Sequence, residues 1–248
     1  MRILVEIPSW LGDAVMSTPA IENLINFYDE PEIILIGSLI SIEVLKNHPK
    51  IFCSHVLHKE YSSLYDMSKK LGQFDIFISF KGSFRSRFLK LLISSKTKFH
   101  FKKNKYQDRH QVEKYNDFIN DILGTKLGPG KLIIHPSLKL KNKNLRPIVG
   151  INPGASYGAA KRWHPEKFAK VAAELSNNFD ILIFGGSNEK GIAADIEKNL
   201  HKKGVVNFEN LSARTSVEEL INHISTLDMF ITGDSGPMHI AAAFQIPT

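Results

Sequence analysis

The chain has 248 residues, and 43% of them are hydrophobic, which is enough for one large domain or two small ones. Its single cysteine, Cys53, excludes a disulfide framework within the chain and is typical of a reducing compartment. The N-terminus lacks a secretory signal, and the longest apolar runs have only strand length. We therefore expect a soluble protein in the cytoplasm, and attachment to a membrane surface stays open.

The net charge of +7 is unevenly distributed along the chain. Residues 1–147 carry 23 Lys and Arg against 14 Asp and Glu, whereas residues 148–248 carry 9 against 11. A basic N-terminal half is typical of a surface that meets nucleic acid, phospholipid or a phosphorylated substrate. A lysine-rich surface that is merely solvated gives the same balance, so the charge alone leaves both interpretations open.

Strand-like and helix-like runs alternate along the whole chain. The predicted strands are 2–7, 32–37, 75–80, 97–101, 147–151, 180–185, 204–208 and 228–232. The predicted helices lie near 15–27, 41–47, 62–72, 84–94, 108–123, 165–177, 188–202, 216–225 and 236–244. This alternation predicts an α/β fold of parallel sheets with helices on both faces.

A polar segment bracketed by prolines, residues 136–147, predicts a linker between two α/β units. The strand-like run after it opens the second unit, so we expect domains at 1–146 and 147–248. The sequence ends with Phe-Gln-Ile-Pro-Thr, which looks like the entry to a further strand. We therefore expect the second domain to be incomplete at its C-terminal end.

The loop between the first predicted strand and helix contains Gly12 and Asp13. Gly12 permits a sharp turn, and Asp13 stands where the helix is predicted to begin, which suits a cap. The loop lacks G-x-G-x-x-G, and a carboxylate at a helix N-terminus repels phosphate, so the loop is a poor nucleotide cradle. The sequence leaves two alternatives for Asp13: a structural cap, or a general base facing a cleft.

Two loops of the second unit carry residue types that suit an anionic ligand. In residues 152–168 small side chains, among them Ser156, stand beside Lys161, a combination that suits a diphosphate. In residues 184–191 two glycines end a strand, and Glu189 is a candidate for a ribose or base contact. A solvated basic loop and a plain turn are the alternatives.

A third loop of the second unit, residues 232–243, ends a strand and opens a helix. Asp234, Ser235 and Gly236 form the loop, and the backbone N–H groups of the helix start would point at an anion. His239 lies in the first turn, on the side that a phosphate would reach. A structural role for this histidine remains the alternative.

The N-terminal unit offers a basic surface for an acceptor. The segment 81–88 follows a predicted strand and carries Lys81, Arg85 and Arg87. The segment 96–110 mixes cations with aromatic residues, as in proteins that stack on bases, but no nucleic-acid-binding fold signature accompanies it. Phosphorylated sugars or lipid head groups fit at least as well, so we expect no nucleic acid partner.

Metal and nucleophilic chemistry receive little support from the sequence. There is no D-x-D, no Cys/His cluster with ligand spacing and no G-x-S-x-G elbow. We therefore expect no metal site.

Six segments together carry a resemblance: SWLGDAVMSTPA, NPGASYGAAKRWHPEKFA, FGGSNEK, NLSARTSVEELI, TGDSGPMHIAAA and, at residues 110–115, HQVEKY. Taken in chain order and over nearly the whole chain, they resemble the heptosyltransferase family of lipopolysaccharide core synthesis. The resemblance implies a GT-B architecture, with two Rossmann-like domains facing a cleft. It also implies an inverting transfer of L-glycero-D-manno-heptose from ADP-heptose to the first heptose of the inner core, with no cofactor required.

The resemblance implies roles for individual residues as well. Asp13 matches the family's proposed general base, and Lys161 matches the lysine that neutralises the donor diphosphate. The expected ADP-heptose site comprises Ser156, Lys161, Glu189, Leu211, Asp234, Ser235, Gly236 and His239.

The basic segments and the HQVEKY segment supply the candidate acceptor contacts, which are Lys81, Arg85, Arg87 and His110. The expected acceptor is a lipopolysaccharide inner core of Kdo and heptose on lipid A, approached by peripheral contact with an anionic membrane surface. Two alternatives stay open: a family member with a different acceptor, and a non-catalytic nucleotide-binding module.

Overall fold

The computed structural model describes residues 1–58, 60–138, 146–154 and 163–248. The chain divides into two compact units, Met1–His135 and Pro136–Thr248. The sequence predicted the domain boundary between residues 146 and 147. Most of the residues between that predicted boundary and the one at 135 and 136 lie outside the described ranges. Each unit contains its own parallel β-sheet flanked by helices, which is the predicted α/β class.

The first unit is built on a five-stranded sheet of order β3-β2-β1-β4-β5. Its strands are Arg2–Glu6 (β1), Glu32–Gly37 (β2), Ile51–Val56 (β3), Gln73–Ser79 (β4) and Ser94–His100 (β5). Every neighbouring pair is parallel, so all five strands have their carboxyl ends at one edge of the sheet. The central strands β1 and β2 are almost wholly buried, as expected for strands covered on both faces.

The helices of the first unit are Leu11–Met16 (α1), Thr18–Phe27 (α2), Leu39–Leu45 (α3), Tyr61–Leu71 (α4), Phe84–Leu92 (α5) and Gln111–Leu123 (α6). The single helix predicted over 15–27 is therefore two helices that meet at Ser17. The Ser17 and Thr18 hydroxyls donate to the carbonyls of Ala14 and Val15, and Pro19 has no N–H to continue the ladder.

The second unit has a four-stranded parallel sheet of order β8-β7-β6-β9. Its strands are Ile148–Asn152 (β6), Asp180–Ile183 (β7), Phe208–Asn210 (β8) and Met229–Thr232 (β9). Its helices are Pro165–Leu175 (α7), Lys190–Lys202 (α8), Val217–Ile224 (α9) and Gly236–Ala243 (α10). Within the described ranges, no helix combines the length and the apolar character needed to cross a bilayer.

Two strands depart from the sequence predictions. β3 was not predicted at all, and the strand predicted at 204–208 is wrong, because β8 begins at Phe208. Both are edge strands with a single neighbour, and their residues are only partly buried. An edge strand needs no apolar side chains on both faces, so its sequence pattern is weak. Gly204, in the left-handed region with φ 75°, ends the α8 segment before β8.

Gly150 in β6 lies where three apolar side chains converge. A Cβ atom at this position would lie 2.5 Å from Leu227 Cδ1, 2.7 Å from Phe230 Cδ2 and 3.0 Å from Phe184 Cε2. Phe184 and Phe230 are fully buried rings in edge-to-face contact, so neither has room to retreat. The absence of a side chain at residue 150 is therefore a packing requirement of the second sheet.

We predict that Gly150→Ala lowers the free energy of unfolding of the second unit by about 1–3 kcal/mol, because it overpacks this core. The measurement is urea unfolding followed by circular dichroism. Gly191→Ala is the matched control, since a Cβ there meets nothing within 4 Å and the residue lies in helix α8. The control is expected to be neutral or slightly stabilising, and equal effects of the two changes would contradict the packing argument.

Candidate functional site

Asp13 lies near the carboxyl edge of the first sheet, in the helix that follows β1. Helix α1 begins at Leu11 and Trp10 is its N-cap residue, so the prediction that Asp13 begins and caps the helix is wrong. Gly12 and Asp13 belong to the helix and not to the loop before it. Neither residue is a typical apolar helix residue, so the apolar pattern did not show that the helix begins at Leu11. The Asp13 carboxylate still lies in the first turn, where the helix dipole favours a negative charge.

Tyr115 on α6 lies within electrostatic range of Asp13. Its side chain is buried and packs against the rings of Phe80 and Phe101, with centroids 5.3 and 5.2 Å away. Burial raises the pKa of the Tyr115 hydroxyl, and the Asp13 carboxylate raises it further. The hydroxyl therefore stays protonated at neutral pH and adds no second negative charge beside Asp13.

A second carboxylate, Glu6, lies at the same edge and was not among the predicted site residues. It is the last residue of β1 and is 1% exposed. The Ser79 hydroxyl donates to Glu6 Oε2 at 2.6 Å, the Ser86 hydroxyl donates to the same oxygen, and Lys81 Nζ lies 3.5 Å from Oε1. A buried carboxylate must be paired or hydrogen-bonded. The sequence signal that could have identified Glu6 is therefore a glutamate directly after the buried apolar run of β1.

The three cations expected to contact an acceptor have different environments. Lys81 is largely buried as the partner of Glu6; desolvation lowers its pKa, and the Glu6 carboxylate opposes that shift. Arg85 is half-buried and donates from Nη2 to the carbonyl of His58. Arg87 is exposed. The structure therefore presents Arg87 to solvent and ties Lys81 and Arg85 to the protein.

His110, the remaining candidate for an acceptor contact, is the N-cap residue of α6. The Val112 N–H donates to His110 Nδ1 at 3.4 Å, and the His110 N–H donates to the Glu113 carboxylate at 3.1 Å. The hydrogen bond from the His110 backbone is also the main reason that the pKa of Glu113 is lowered. A capping box thus gives the residues 110–113 a local structural role.

Two aromatic residues of the segment 96–110, Phe101 and Tyr106, lie in the core and not on the surface. Phe101 and Tyr106 are buried and stack on each other at 5.5 Å, and Phe101 also contacts Tyr115 and Phe118 of α6. Their faces are therefore occupied by the core of the first unit, which removes the feature that had suggested nucleic-acid bases.

In the second unit, Asn152 connects two loops at the carboxyl edge of the sheet. It is the last residue of β6 and is buried. Its side-chain amide nitrogen lies 3.2 Å from Thr232 Oγ1 at the end of β9, 3.1 Å from Ser235 Oγ and 3.3 Å from the Gly154 carbonyl. The amide therefore holds the residues before α10 against the end of β6. Asn152 was not among the predicted site residues.

Glu189 lies across the glycines that follow β6 and β7. The Gly186 N–H donates to Glu189 Oε2 at 3.0 Å. A Cβ at Gly154 would lie 2.3 Å from Glu189 Cγ, and one at Gly185 would lie 2.9 Å from Glu189 Cβ, so these positions require glycine. Glu189, the residue predicted to contact ribose or base, therefore lies at the carboxyl edge of the second sheet beside Gly154, Gly185 and Gly186.

The other predicted donor residues of the second unit lie at the same edge. Leu211 follows β8, is buried, and its N–H donates to the Ile183 carbonyl at 2.8 Å. Ser235 is the N-cap residue of α10, Gly236 begins the helix, and Asp234 before them is exposed. His239 is half-buried in the first part of that helix, as predicted.

Two predicted residues, Ser156 and Lys161, lie outside the described ranges. Within those ranges, no three His, Cys, Asp or Glu side chains come together as a metal site would require. What the described residues offer in the second unit is a set of small side chains, backbone N–H groups and hydroxyls around a helix N-terminus. Such a set suits a phosphate-bearing ligand.

Residues 65–248 match the family model described as glycosyltransferase family 9 (heptosyltransferase). The chain is 37% identical over 255 aligned residues to lipooligosaccharide heptosyltransferase 2 of Campylobacter jejuni, with 100% of this chain and 79% of the relative covered.

Two solved structures share the fold. The ADP-heptose lipopolysaccharide heptosyltransferase II of Escherichia coli superposes with a TM-score of 0.82 at 22% identity, over 98% of this chain and 82% of the other. A family 9 glycosyltransferase of Veillonella parvula superposes with a TM-score of 0.86 at 20% identity, over 99% and 78%. The two parallel sheets thus have the GT-B type of fold, in a chain shorter than these relatives.

We predict that Glu6→Ala lowers the free energy of unfolding by about 3–5 kcal/mol, because it leaves the buried Lys81 ammonium and two hydroxyls without their acceptor. Urea unfolding at neutral pH measures the change. Glu32→Ala is the matched control, since Glu32 pairs with Arg2 in a partly exposed ion pair. The control is expected to cost about 1 kcal/mol or less, and a Glu6→Ala effect no larger than that would contradict the buried network.

Proposed function

The chain is a glycosyltransferase of family 9, the heptosyltransferase family, and we propose that it transfers L-glycero-D-manno-heptose from ADP-heptose to the first heptose of a lipopolysaccharide inner core. The observation that carries this proposal is the 37% identity to a lipooligosaccharide heptosyltransferase 2 over the whole of this chain. The chain spans about four fifths of that relative (79%).

An inverting transfer needs a base that takes the proton of the attacking hydroxyl. We assign this role to Asp13, whose carboxylate lies in the first turn of α1 at the carboxyl edge of the first sheet. The Tyr115 hydroxyl, within electrostatic range of Asp13, stays protonated at neutral pH and so adds no negative charge beside the proposed base. Arg87, and more weakly Arg85, Lys81 and His110, are the proposed contacts for the anionic acceptor.

The departing ADP needs its developing negative charge neutralised. We assign this role to Lys161 and to the N-terminus of α10 at Ser235 and Gly236, with Asp234 and His239 beside it. Ser156, Glu189 and Leu211 complete the proposed donor site, where Glu189 faces the ribose or base. A fixed cation and helix N–H groups supply the charge stabilisation, so the proposed reaction requires no cofactor.

The proposed acceptor is a lipid A that carries Kdo and heptose. Its location in the cell determines the proposed location of the protein. We propose that the protein acts in the cytoplasm at the face of the inner membrane, where a lipid-linked acceptor of this kind is available. The basic balance of residues 1–147 supports an anionic acceptor.

We predict that Asp13→Asn lowers kcat/KM for heptose transfer by about a hundredfold or more, because the amide cannot accept the proton of the acceptor hydroxyl. The measurement is a turnover assay with ADP-heptose and a heptose-bearing acceptor. ADP affinity, measured by calorimetry on the same variant, is expected to stay at the parental value.

Asp29→Asn, at an exposed position after α2, is the matched control and is expected to leave transfer unchanged. Transfer at the parental rate by a folded Asp13→Asn variant would overturn the base assignment. ADP binding by the parent protein without any turnover would instead favour a non-catalytic nucleotide-binding module.

We predict that Asn152→Ala raises the KM for ADP-heptose about tenfold with a smaller change in kcat. The reason is that the Asn152 amide holds the residues before α10 in place through Thr232 and Ser235. Steady-state kinetics with varied ADP-heptose separate the two parameters, and a loss confined to kcat would contradict the positioning role.

Asn207→Ala is the matched control for this experiment. The Asn207 amide also joins two segments, by donating to the Ser176 and Phe179 carbonyls at 2.9 and 2.8 Å, but these lie at the opposite edge of the sheet. The control is expected to lose stability without a change in KM. An equal rise in KM for both variants would show a general loss of structure.

A further inference from the structure

The outer faces of α4 and α5 carry large apolar side chains that face solvent. Tyr61 and Tyr65 of α4 are 51% and 49% exposed, and Phe84 and Leu91 of α5 are both 78% exposed. We call these four residues, with the Phe88 that lies between them, the α4–α5 surface. Scattered exposed apolar residues are ordinary, whereas a contiguous set marks a contact surface.

Helical spacing and a ring contact make this surface contiguous. Tyr61 and Tyr65 are four residues apart on α4, and Phe84, Phe88 and Leu91 are spaced by four and three residues on α5, so each set lies on one helix face. The rings of Tyr61 and Phe88 meet edge to face with their centroids 5.5 Å apart, which joins the two helices. The apolar side chains therefore form one surface across both helices.

The surroundings of the α4–α5 surface are strongly basic. Residues 76–107, which include the whole of α5 and β5, contain nine Lys and Arg and no Asp or Glu. Arg87 is exposed on α5 between Phe84 and Leu91, and the Lys69 ammonium lies 4.4 Å from the centre of the Tyr65 ring. Asp66 on α4 is accompanied by Lys69 and Lys70, so the helix pair keeps a positive balance.

The positive field extends to the edge of the sheet beside α5. His100 ends β5, and its pKa is lowered by burial and then by the charges of Lys90, Arg87 and Lys102. Two of these cations lie on α5 and the third follows β5, and all three lower the pKa of the same imidazole. Among the described residues, none of these three cations forms an ion pair, so their charge is available to an external anion.

We propose that the α4–α5 surface docks the protein on an anionic lipid bilayer. Exposed aromatic and leucine side chains among Lys and Arg are what a bilayer interface with acidic head groups selects, because the rings enter the head-group layer and the cations meet phosphate. The absence of Asp and Glu from residues 76–107 favours a bilayer with acidic head groups over a protein partner, because a protein partner would not require such a stretch.

This proposal rests on the proposed function and extends it to the place where the acceptor is met. Helices α4 and α5 begin at the carboxyl edge of the first sheet, after β3 and β4, and Asp13 lies at that edge after β1. A surface that rests on the bilayer through Tyr61 and Phe84 brings this edge close to the lipid. The sugar of a lipid-linked acceptor then has a short path to the proposed base.

Co-sedimentation of the full chain with lipid vesicles tests the proposal. Vesicles of phosphatidylcholine with about one third phosphatidylglycerol are expected to bind the protein at least about tenfold more strongly than pure phosphatidylcholine. Phe84→Ser with Leu91→Ser is expected to lower binding to the anionic vesicles at least about tenfold. Lys102→Glu is expected to lower it about fivefold or more.

Matched controls replace residues of the same kind elsewhere on the molecule. Val206→Ser with Leu127→Ser removes two exposed apolar side chains, and Lys126→Glu reverses an exposed cation. These controls are expected to bind vesicles like the parent. Equal binding to neutral and anionic vesicles, or equal losses in test and control variants, would overturn the proposal. So would a parental dimer that Phe84→Ser with Leu91→Ser makes monomeric, since the surface would then be a self-association site.

Turnover assays keep this proposal separate from the proposed function. With an acceptor freed of its acyl chains, Phe84→Ser with Leu91→Ser is expected to match the parent, whereas with vesicle-embedded acceptor its rate is expected to fall about tenfold. Parental rates on both acceptors would overturn the docking proposal alone. Absence of transfer by the parent with either acceptor would overturn the proposed function, while vesicle binding would still decide the docking surface.

Discussion

Every strand pairing in the described residues is parallel, and this constraint decides where chemistry is placed in each unit. In a parallel sheet the segments that follow the strands must share one edge, whatever their separation in sequence. Glu6 and Ser79 end β1 and β4, which are neighbours in the first sheet, and Asp13 and Lys81 follow these two strands. In the second unit the same rule gathers Gly154, Glu189, Leu211 and Ser235 after four successive strands.

The two edges differ in their electrostatics. At the first, one carboxylate, Glu6, is buried and satisfied by two hydroxyls and a lysine, while Asp13 lies half-buried in a helical first turn. At the second, the start of α10 has backbone N–H groups and the Ser235 hydroxyl, and Gly154, Gly185 and Gly186 lie against Glu189. An edge that holds carboxylates suits an acceptor hydroxyl, and an edge that presents N–H groups suits a diphosphate. The proposal that the first unit binds the acceptor and the second unit binds ADP-heptose rests on this difference.

The sequence predicted the central strands and most helices well, because buried parallel strands read as continuous apolar runs and amphipathic helices carry a regular period. It missed β3 and misplaced β8, since a half-exposed edge strand such as Ile51–Val56 lacks that signal. It placed the start of α1 too late, because Gly12, the second residue of the helix, is of a type that favours loops. Around Ser235, Gly236 and His239 it predicted the strand, the loop and the start of the helix correctly, because the three follow one another closely there.

By itself the sequence determined the α/β class, the family and the candidate residues, because strand and helix periods and ordered motifs are local properties of the chain. The tertiary structure alone decided how those residues are used. It turned Lys81 from a surface cation into the partner of a buried carboxylate and moved Phe101 and Tyr106 from a base-stacking surface into the core. It also made Asn152 the link between two loops. The side-chain partners of Glu6 and Asn152 lie 70 or more positions away along the chain, and no local pattern encodes contacts at that separation.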